Sequence, residues 1–315
     1  MRNREGRRTD VAKKQPSLAL LIGLVLICAA PIAAEPLTAL LGAVDVEVAG
    51  IRAALRDPVE QQASGLRVVR GELRGREVLV ACTGVGKVNA AMTTTLLLEQ
   101  FAPSELIFTG IAGALAPDLR PGDVVIGTTA VVHDFVALHP DTVVTWAPQN
   151  PADGERFPLF LPADARLCDL AHLAARTSAA GAAAGGRPEA SPGPPARIVA
   201  GAIATGDAFV AARSKRQEIR ARLGADAVEM EGAAIAQICH ARRTPWLLIR
   251  GISDRADALA SEEIEANFER AASNAARLAM DVVALLGSAP AAPAPVEDAA
   301  PREDAVGDAC APREN

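Results

Sequence analysis

The chain has 315 residues, a net charge of −6 and 50% hydrophobic residues, a composition that supports a globular core and excludes a wholly disordered protein. The acidic net charge argues against a nucleic-acid-binding surface, because such surfaces contact phosphates with clustered Lys and Arg. Small-molecule chemistry is therefore the better expectation. Aromatic residues are scarce, with seven Phe, two Trp and no Tyr, so few side chains can stack on a planar ligand.

The first 34 residues have the pattern of a secretory signal peptide. Basic residues at positions 2–14 precede an apolar run over residues 18–30, and small residues come before Glu35. The alternative is an uncleaved membrane anchor, but this run is shorter than the roughly 20 residues that span a bilayer. We therefore expect cleavage near Ala34, an exported protein that is periplasmic or secreted, and no stable membrane association after cleavage.

Short apolar runs alternate with amphipathic segments over residues 35–287, and this alternation predicts one α/β domain with a mainly parallel sheet. The predicted strands span residues 37–41, 66–70, 77–82, 105–109, 124–129, 198–204, 227–228 and 246–252. The predicted helices span residues 46–55, 87–101, 165–175, 214–223, 232–242 and 263–286. Residues 177–196, rich in Ala, Gly, Pro and Ser, predict a flexible surface insertion, and residues 288–315 predict a disordered acidic Ala/Pro tail.

Two glycine-rich segments each follow a predicted strand. The first, residues 83–87, lacks the pattern of a P-loop, because Val88 stands where Ser or Thr is required. It also lacks the dinucleotide fingerprint, because Asn89 stands where a small residue is required. The second is residues 109–113. Open α/β sheets bind ligands at the carboxyl ends of their strands, so two such turns predict a pocket floor made of backbone. A purely structural tight turn remains the alternative.

Four polar or aromatic candidates also lie just after predicted strands. They are Glu47, Phe209, Glu231 (which follows Glu229 closely) and Asp254. Each has an ordinary structural interpretation, since acids are common in first helical turns, most Phe residues belong to the core and Asp residues cap turns. Their common position at strand ends favours a ligand site instead.

In their order along the chain, these motifs resemble the nucleoside phosphorylase/nucleosidase superfamily, and most closely its 5′-methylthioadenosine/S-adenosylhomocysteine nucleosidases. The resemblance covers nearly all of residues 35–287. It runs through residues 42–47, 84–90, 109–113, 121–123, 133–134, 206–209, 228–232 and 250–254. It implies a three-layer α/β/α fold with a central mixed, mostly parallel sheet, no cofactor, no metal and commonly a homodimer.

The resemblance also implies a role for each matching residue. Glu47 is expected to activate the attacking water with support from Arg250, and Asp254 to protonate N7 of the purine. Glu231 is expected to bind the ribose hydroxyls. Phe209 is expected to stack on the base, with the backbone of the following residue at its edge, and Met230 to pack under the sugar. The substrate-binding residues that the resemblance implies are Ile111, Ala112, Gly113, Phe209, Val210, Glu229, Met230, Glu231 and Ser253.

The residue types fit the hydrolysis of an N-ribosidic bond. Such cleavage passes through a cation-like sugar, so one acid must protonate the leaving purine while a carboxylate directs water to the opposite face. We expect hydrolysis of purine nucleosides such as 5′-methylthioadenosine or S-adenosylhomocysteine, with release of adenine. One alternative is a phosphate-dependent purine nucleoside phosphorylase, but Asp45 and Glu47 lie where phosphate would be repelled. The other is an exported nucleoside-binding protein without turnover, which would not need both Glu47 and Asp254.

The segment after His133-Asp134 departs from the family pattern. Family members have aromatic residues there, including Tyr, that cover the 5′-alkylthio group. This chain has residues 135–139 in the order Phe, Val, Ala, Leu and His, and no Tyr at any position. The 5′ pocket is therefore expected to differ, and other purine nucleosides stay open as substrates.

Overall fold

A computed structural model of the chain describes residues 36–183 and 196–288. The predicted signal peptide, the predicted tail from residue 289 onward and residues 184–195 of the predicted insertion lie outside the described residues. Within the described ranges, no helix combines the length and the apolar character needed to cross a membrane.

The described residues form twelve strands and six helices. The strands are β1 (Thr38–Gly42), β2 (Arg56–Ala63), β3 (Leu66–Leu73), β4 (Arg76–Cys82), β5 (Glu105–Ala114), β6 (Val124–Val132), β7 (Val136–Leu138), β8 (Val143–Thr145), β9 (Leu161–Pro162), β10 (Ile198–Thr205), β11 (Ala227–Glu229) and β12 (Trp246–Asp254). The helices are α1 (Asp45–Ala53), α2 (Lys87–Phe101), α3 (Ala165–Ala183), α4 (Arg213–Leu223), α5 (Gly232–Ala241) and α6 (Ala260–Ser288).

Ten strands form one mixed sheet in the order β11, β10, β6, β12, β5, β1, β4, β3 and β2, with β9 paired to β6. Parallel pairing occurs in two blocks, β4-β1-β5-β12 and β6-β10-β11. The blocks meet where β12 runs antiparallel to β6. In addition, β11 pairs with the carboxyl-terminal end of β5. The five strands β11, β10, β6, β12 and β5 therefore form a closed ring. This closure brings the ends of β5, β11 and β12 together at one edge.

Helices cover both faces of the sheet. The apolar sides of α1, α3 and α6 pack on one face around residues such as Leu40, Ile107 and Leu247. Helices α2 and α5 pack together on the other face, around residues such as Leu41 and Phe108. Neighbouring residues of β1 and β5 are buried on opposite faces of the sheet. These strands are therefore largely apolar along their length and do not alternate between apolar and polar residues. The predicted α/β fold with a mixed central sheet is confirmed.

The sequence did not predict the short strands β7, β8 and β9, and three longer elements also differ from the prediction. The predicted glycine turn at residues 109–113 is wrong, because β5 continues through it to Ala114. Strand β2 was not predicted, since its residues are polar and mostly exposed, but it forms by hairpin pairing with β3 at the sheet edge. Helix α3 extends to Ala183, beyond the predicted end at residue 175 and into the predicted insertion. Its Ala-rich sequence favours a helix as much as a loop.

A buried ion cluster joins the amino-terminal ends of β1, β4 and β5, away from the edge where the strands end. The Arg76 guanidinium lies 2.6 Å from a carboxylate oxygen of Glu105, and both side chains are buried. The Thr38 hydroxyl donates to the same oxygen at 2.5 Å. Arg166 approaches the other oxygen of Glu105 at 3.3 Å. Every polar atom of the Glu105 carboxylate is therefore used within the fold.

Replacing Glu105 by Ala is expected to lower the free energy of unfolding by about 3–5 kcal/mol, because Arg76 is left buried without its counter-charge. Urea denaturation at neutral pH measures the change. The matched control is Glu99→Ala, which removes the exposed Glu99–Arg242 pair and should cost less than about 1 kcal/mol. Equal losses in the two variants would contradict a structural role for the cluster.

Candidate active site

A cavity of about 220 Å³ opens where β1, β5 and β12 end and where β11 pairs with the end of β5. It is lined by eleven of the twelve predicted site residues, and the twelfth, Arg250, is buried beside Glu47. The eleven are Glu47, Ile111, Ala112, Gly113, Phe209, Val210, Glu229, Met230, Glu231, Ser253 and Asp254. The structure therefore brings the predicted residues into one site.

Glu47 lies in the first turn of α1, and its carboxylate points back toward the sheet. One oxygen accepts hydrogen bonds from the backbone N–H groups of Ala43 at 2.6 Å and Val44 at 3.2 Å. The other accepts one from the N–H of Ile111 at 2.9 Å. Burial raises the pKa of Glu47, while the Arg250 charge and the three N–H donors act against that rise. The result is a carboxylate fixed in position that takes a proton more readily than an ordinary glutamate.

Arg250 is the largest fully buried side chain of the described protein, at 1% exposure. Its guanidinium lies 3.9 Å from the centroid of the Phe108 ring, a cation–π contact, and donates a hydrogen bond to Glu229. A Cβ atom at Gly110 would collide with both the Arg250 guanidinium and the Glu47 carboxylate. Glycine at position 110 of β5 therefore makes room for a positive charge beside Glu47.

Glu229 lies at the cavity, but its carboxylate is already occupied by the protein. It accepts hydrogen bonds from the Thr205 hydroxyl, from Arg250 and from the backbone N–H groups of Glu231 and Gly232. The structure therefore places Glu229 as the counter-charge that fixes Arg250. The sequence predicts that Glu229 contacts the ligand, but both oxygens of its carboxylate already accept hydrogen bonds from the protein.

Glu231, by contrast, uses one carboxylate oxygen to accept a hydrogen bond from the backbone N–H of Gly86 at 2.7 Å. Gly84 and Gly86 both have positive φ, at 77° and 92°, so this turn needs glycine. Burial and the negative charge of Glu229 raise the pKa of Glu231 to about 7. The first glycine-rich segment is thus a true turn, and its N–H orients a carboxylate that can accept hydrogen bonds from hydroxyl groups.

Asp254 ends β12 and is buried. One of its oxygens accepts the Ser253 hydroxyl at 2.7 Å, and the other accepts the backbone N–H of Ala256 at 2.8 Å. Burial raises the pKa of Asp254; the two hydrogen bonds oppose that rise, and the nearby charges of Glu263 and Asp257 add to it. Asp254 therefore keeps its proton to higher pH than an ordinary aspartate and is suited to act as an acid.

The apolar wall of the cavity includes residues that the sequence prediction missed, and two of them lie outside all of the sequence motifs. Ile264 and Phe268 are one turn apart on α6 and line the cavity together with Phe209 and Met230. Their spacing of four residues was the available signal, but the same spacing is found along any amphipathic helix. The Phe209 ring is 50% exposed, so a face of it is free for a planar ligand.

The described ranges contain no group of three or more His, Cys, Asp or Glu side chains positioned to hold a metal ion. The side chains that line the cavity, among them Glu47, Glu231 and Asp254, offer acid, base and hydrogen-bond chemistry. A base beside a cation, an acid with a raised pKa and an apolar wall are what the cleavage of a bond to a planar leaving group requires.

Comparison with known proteins gives consistent results. A family model described as the phosphorylase superfamily matches residues 37–284. The chain is 35% identical over 245 residues to the 5′-methylthioadenosine/S-adenosylhomocysteine nucleosidase of Oceanobacillus iheyensis, which covers 78% of this chain and 97% of that protein. The solved nucleosidase of the same name from Neisseria meningitidis, in complex with methylthio-immucillin-A, has a TM-score of 0.68 at 33% identity, covering 79% of this chain and 99% of that one. The futalosine hydrolase of Helicobacter pylori has a TM-score of 0.67 at 27% identity, covering 79% and 97%.

Proposed function

The chain belongs to the phosphorylase superfamily, and we propose that it hydrolyses the N-ribosidic bond of purine nucleosides such as 5′-methylthioadenosine or S-adenosylhomocysteine, releasing adenine. One observation carries the proposal: two buried carboxyl groups, Glu47 and Asp254, line one cavity, and Arg250 accompanies only the first. Burial raises the pKa of both groups, but only at Glu47 does a neighbouring positive charge oppose the rise, so the proton is favoured on Asp254 over Glu47, which is the division that acid–base hydrolysis needs.

The mechanism follows from this division. Asp254 donates its proton to the purine as the bond to the sugar breaks, so the base leaves without a negative charge. Glu47 holds a water molecule and takes its proton as the water attacks the cation-like sugar. Glu231, fixed by the Gly86 N–H, accepts hydrogen bonds from the ribose hydroxyls. Phe209 stacks on the base at the exposed end of the cavity.

Hydrolysis is favoured over transfer to phosphate by the charges of the site. The residues that line the cavity include Glu47, Glu231 and Asp254 but neither Lys nor Arg. Arg250, which lies beside Glu47, is already paired with Glu229. A phosphate dianion would therefore enter a cavity of carboxyl groups without a free cation to balance its charge.

The proposal is tested by incubating the purified protein with 5′-methylthioadenosine, S-adenosylhomocysteine, adenosine and inosine, with and without phosphate. Free base and the sugar product are followed by chromatography. We expect adenine release without phosphate. Release that depends on phosphate would identify a phosphorylase instead, and tight binding with no release from any substrate would identify a binding protein.

The negative charge of Glu229 gives a prediction about pH. Glu229→Gln should lower the pKa of Glu231, because one of the negative charges that raise this pKa is removed. Glu231 then stays ionised to lower pH, and the acid limb of the kcat/KM profile is expected to move to lower pH, while maximal activity falls because Arg250 loses its ion pair. Rates for 5′-methylthioadenosine between pH 5 and 9 measure the shift. An unchanged acid limb would remove Glu231 from the titrating groups.

A homodimer is proposed as the working form. It is supported by exposed apolar side chains next to the cavity, on the glycine turn and the first half of α2: Val85, Val88 and Met92. Light scattering of the purified protein measures its mass.

Export is proposed on the basis of residues 1–34 alone, and the test is the cell fraction and the N-terminal residue of the mature protein.

A further inference from the structure

The segment that carries Phe209 has no regular structure of its own. Residues 206–212 connect the end of β10 to the start of α4 without helix or strand. At the start of this segment the Gly206 N–H donates to the Glu229 carbonyl at 3.1 Å. The position of the Phe209 ring therefore depends on the contacts that hold residues 206–209, which we call the base turn.

Contacts among three charged residues, one of which belongs to the base turn, hold this turn in place, and none of the three lines the cavity. One oxygen of Asp134 accepts the backbone N–H of Asp207 at 2.8 Å, and the other accepts the Lys87 ammonium group. The Asp207 carboxylate accepts the backbone N–H of Lys87 at 2.8 Å and lies 3.7 Å from its ammonium group. These three residues, here the latch cluster, link the end of β6, the start of α2 and the base turn.

The neighbouring contacts leave the base turn little freedom. His133 is buried, and a Cβ atom at Gly206 would collide with its ring, so backbone and ring are in close contact. Lys87 follows Gly86, whose N–H fixes the carboxylate of Glu231. The latch cluster thus joins the segment that carries the base-stacking ring to the turn that orients the ribose carboxylate.

We propose that Asp134 is a positioning residue for base recognition: with Lys87 it holds the base turn so that Phe209 meets the purine. The inference rests on the proposed nucleosidase function. The inference gives a role to His133-Asp134, Lys87 and Asp207, none of which takes part in the proposed mechanism. No hydrogen bond or ion pair joins the latch cluster to Glu47 or Asp254, so its loss acts on binding rather than on the chemical step.

The test compares Asp134→Ala with Asp134→Asn in the full-length protein. The Ala variant loses both contacts, and we expect about a tenfold rise in KM for 5′-methylthioadenosine and in the dissociation constant for adenine, with kcat changed less than about threefold. The Asn variant keeps one acceptor oxygen for the Asp207 N–H and should be intermediate. Hydrogen exchange in peptides covering residues 206–212 should accelerate in the same order.

Glu99→Ala is the matched control, because it removes an ion pair on α2 twelve residues from Lys87, about 18 Å along the helix. Binding and exchange equal to those of the control in both Asp134 variants would overturn the inference. A fall in kcat with unchanged KM and unchanged adenine affinity would also overturn it. Absence of hydrolysis by the wild-type protein would overturn the proposed function itself, and the positioning role with it.

Discussion

Asp254→Asn is expected to lower kcat for 5′-methylthioadenosine by about a thousandfold, within the range for loss of a general acid, while nucleoside binding survives. The amide has the size of the carboxyl group, can keep the hydrogen bond from the Ala256 N–H and has no acidic proton to give to the departing purine. The base must then leave as an anion, which raises the barrier of the chemical step.

The pH profile gives this prediction a second readout. Wild-type activity should fall as the pH rises through the raised pKa of Asp254, because its acid form is lost. The residual activity of the Asn variant should lack that basic limb. Because the folded-state pKa is raised, ionisation of Asp254 also costs stability as the pH rises through that pKa, and the variant is free of this cost.

Steady-state rates and direct binding of a non-hydrolysable nucleoside analogue measure the two effects separately. Asp118→Asn is the control, because Asp118 is an exposed carboxylate paired with Arg197 at 3.1 Å and lies outside the cavity. An Asp254→Asn variant with control-like kcat would remove Asp254 from the role of acid.

The sequence predicted most of the fold because the central elements are strongly apolar. Strands such as β1 and β12 are buried along their whole length, and a continuous apolar run between turn signals is enough to recognise them. Strand β2 lacks this signal, because it is stabilised by pairing with β3 rather than by burial. Propensity alone therefore could not identify it.

The segment at residues 109–113 shows why local patterns mislead at a functional site. Gly110 and Gly113 suggest a turn, since glycine usually interrupts a strand. In the structure they are strand residues whose missing side chains leave room for Glu47 and Arg250 at one position and for Asp254 at the other. Gly113 lines the cavity and Gly110 lies beside Glu47 and Arg250, and the physical reason for both glycines is close side-chain approach and not a change of direction.

The local sequence pattern does not separate the roles of Glu229 and Glu231, and only the family resemblance assigned the ribose hydroxyls to Glu231. The two residues flank one methionine at the junction of β11 and α5, and either could face a ligand. Only the three-dimensional arrangement shows that Glu229 is saturated by Arg250, Thr205 and backbone N–H groups. The strand order, which brings Arg250 of β12 near Glu229 of β11, was not predictable from either segment alone.

Glu47→Gln is expected to reduce kcat by about a thousandfold as well, because an amide cannot take the proton of the attacking water. Its effect on the protein should differ from that of Asp254→Asn. Both oxygens of Glu47 accept backbone N–H groups, from Ala43 and Val44 on one side and from Ile111 on the other. An amide NH2 group must face one of these donors, which should lower the free energy of unfolding by about 1–3 kcal/mol.

Thermal denaturation, analogue binding and the pH profile together separate catalysis from stability in this variant. The part of the acid limb that reports Glu47 should disappear and the part that reports Glu231 should remain, as should the basic limb due to Asp254. Arg250 then lacks the Glu47 charge but keeps Glu229, so the ligand site should stay formed and analogue binding should change less than kcat. If kcat falls only in proportion to analogue binding, Glu47 orients the ligand and another group activates the water.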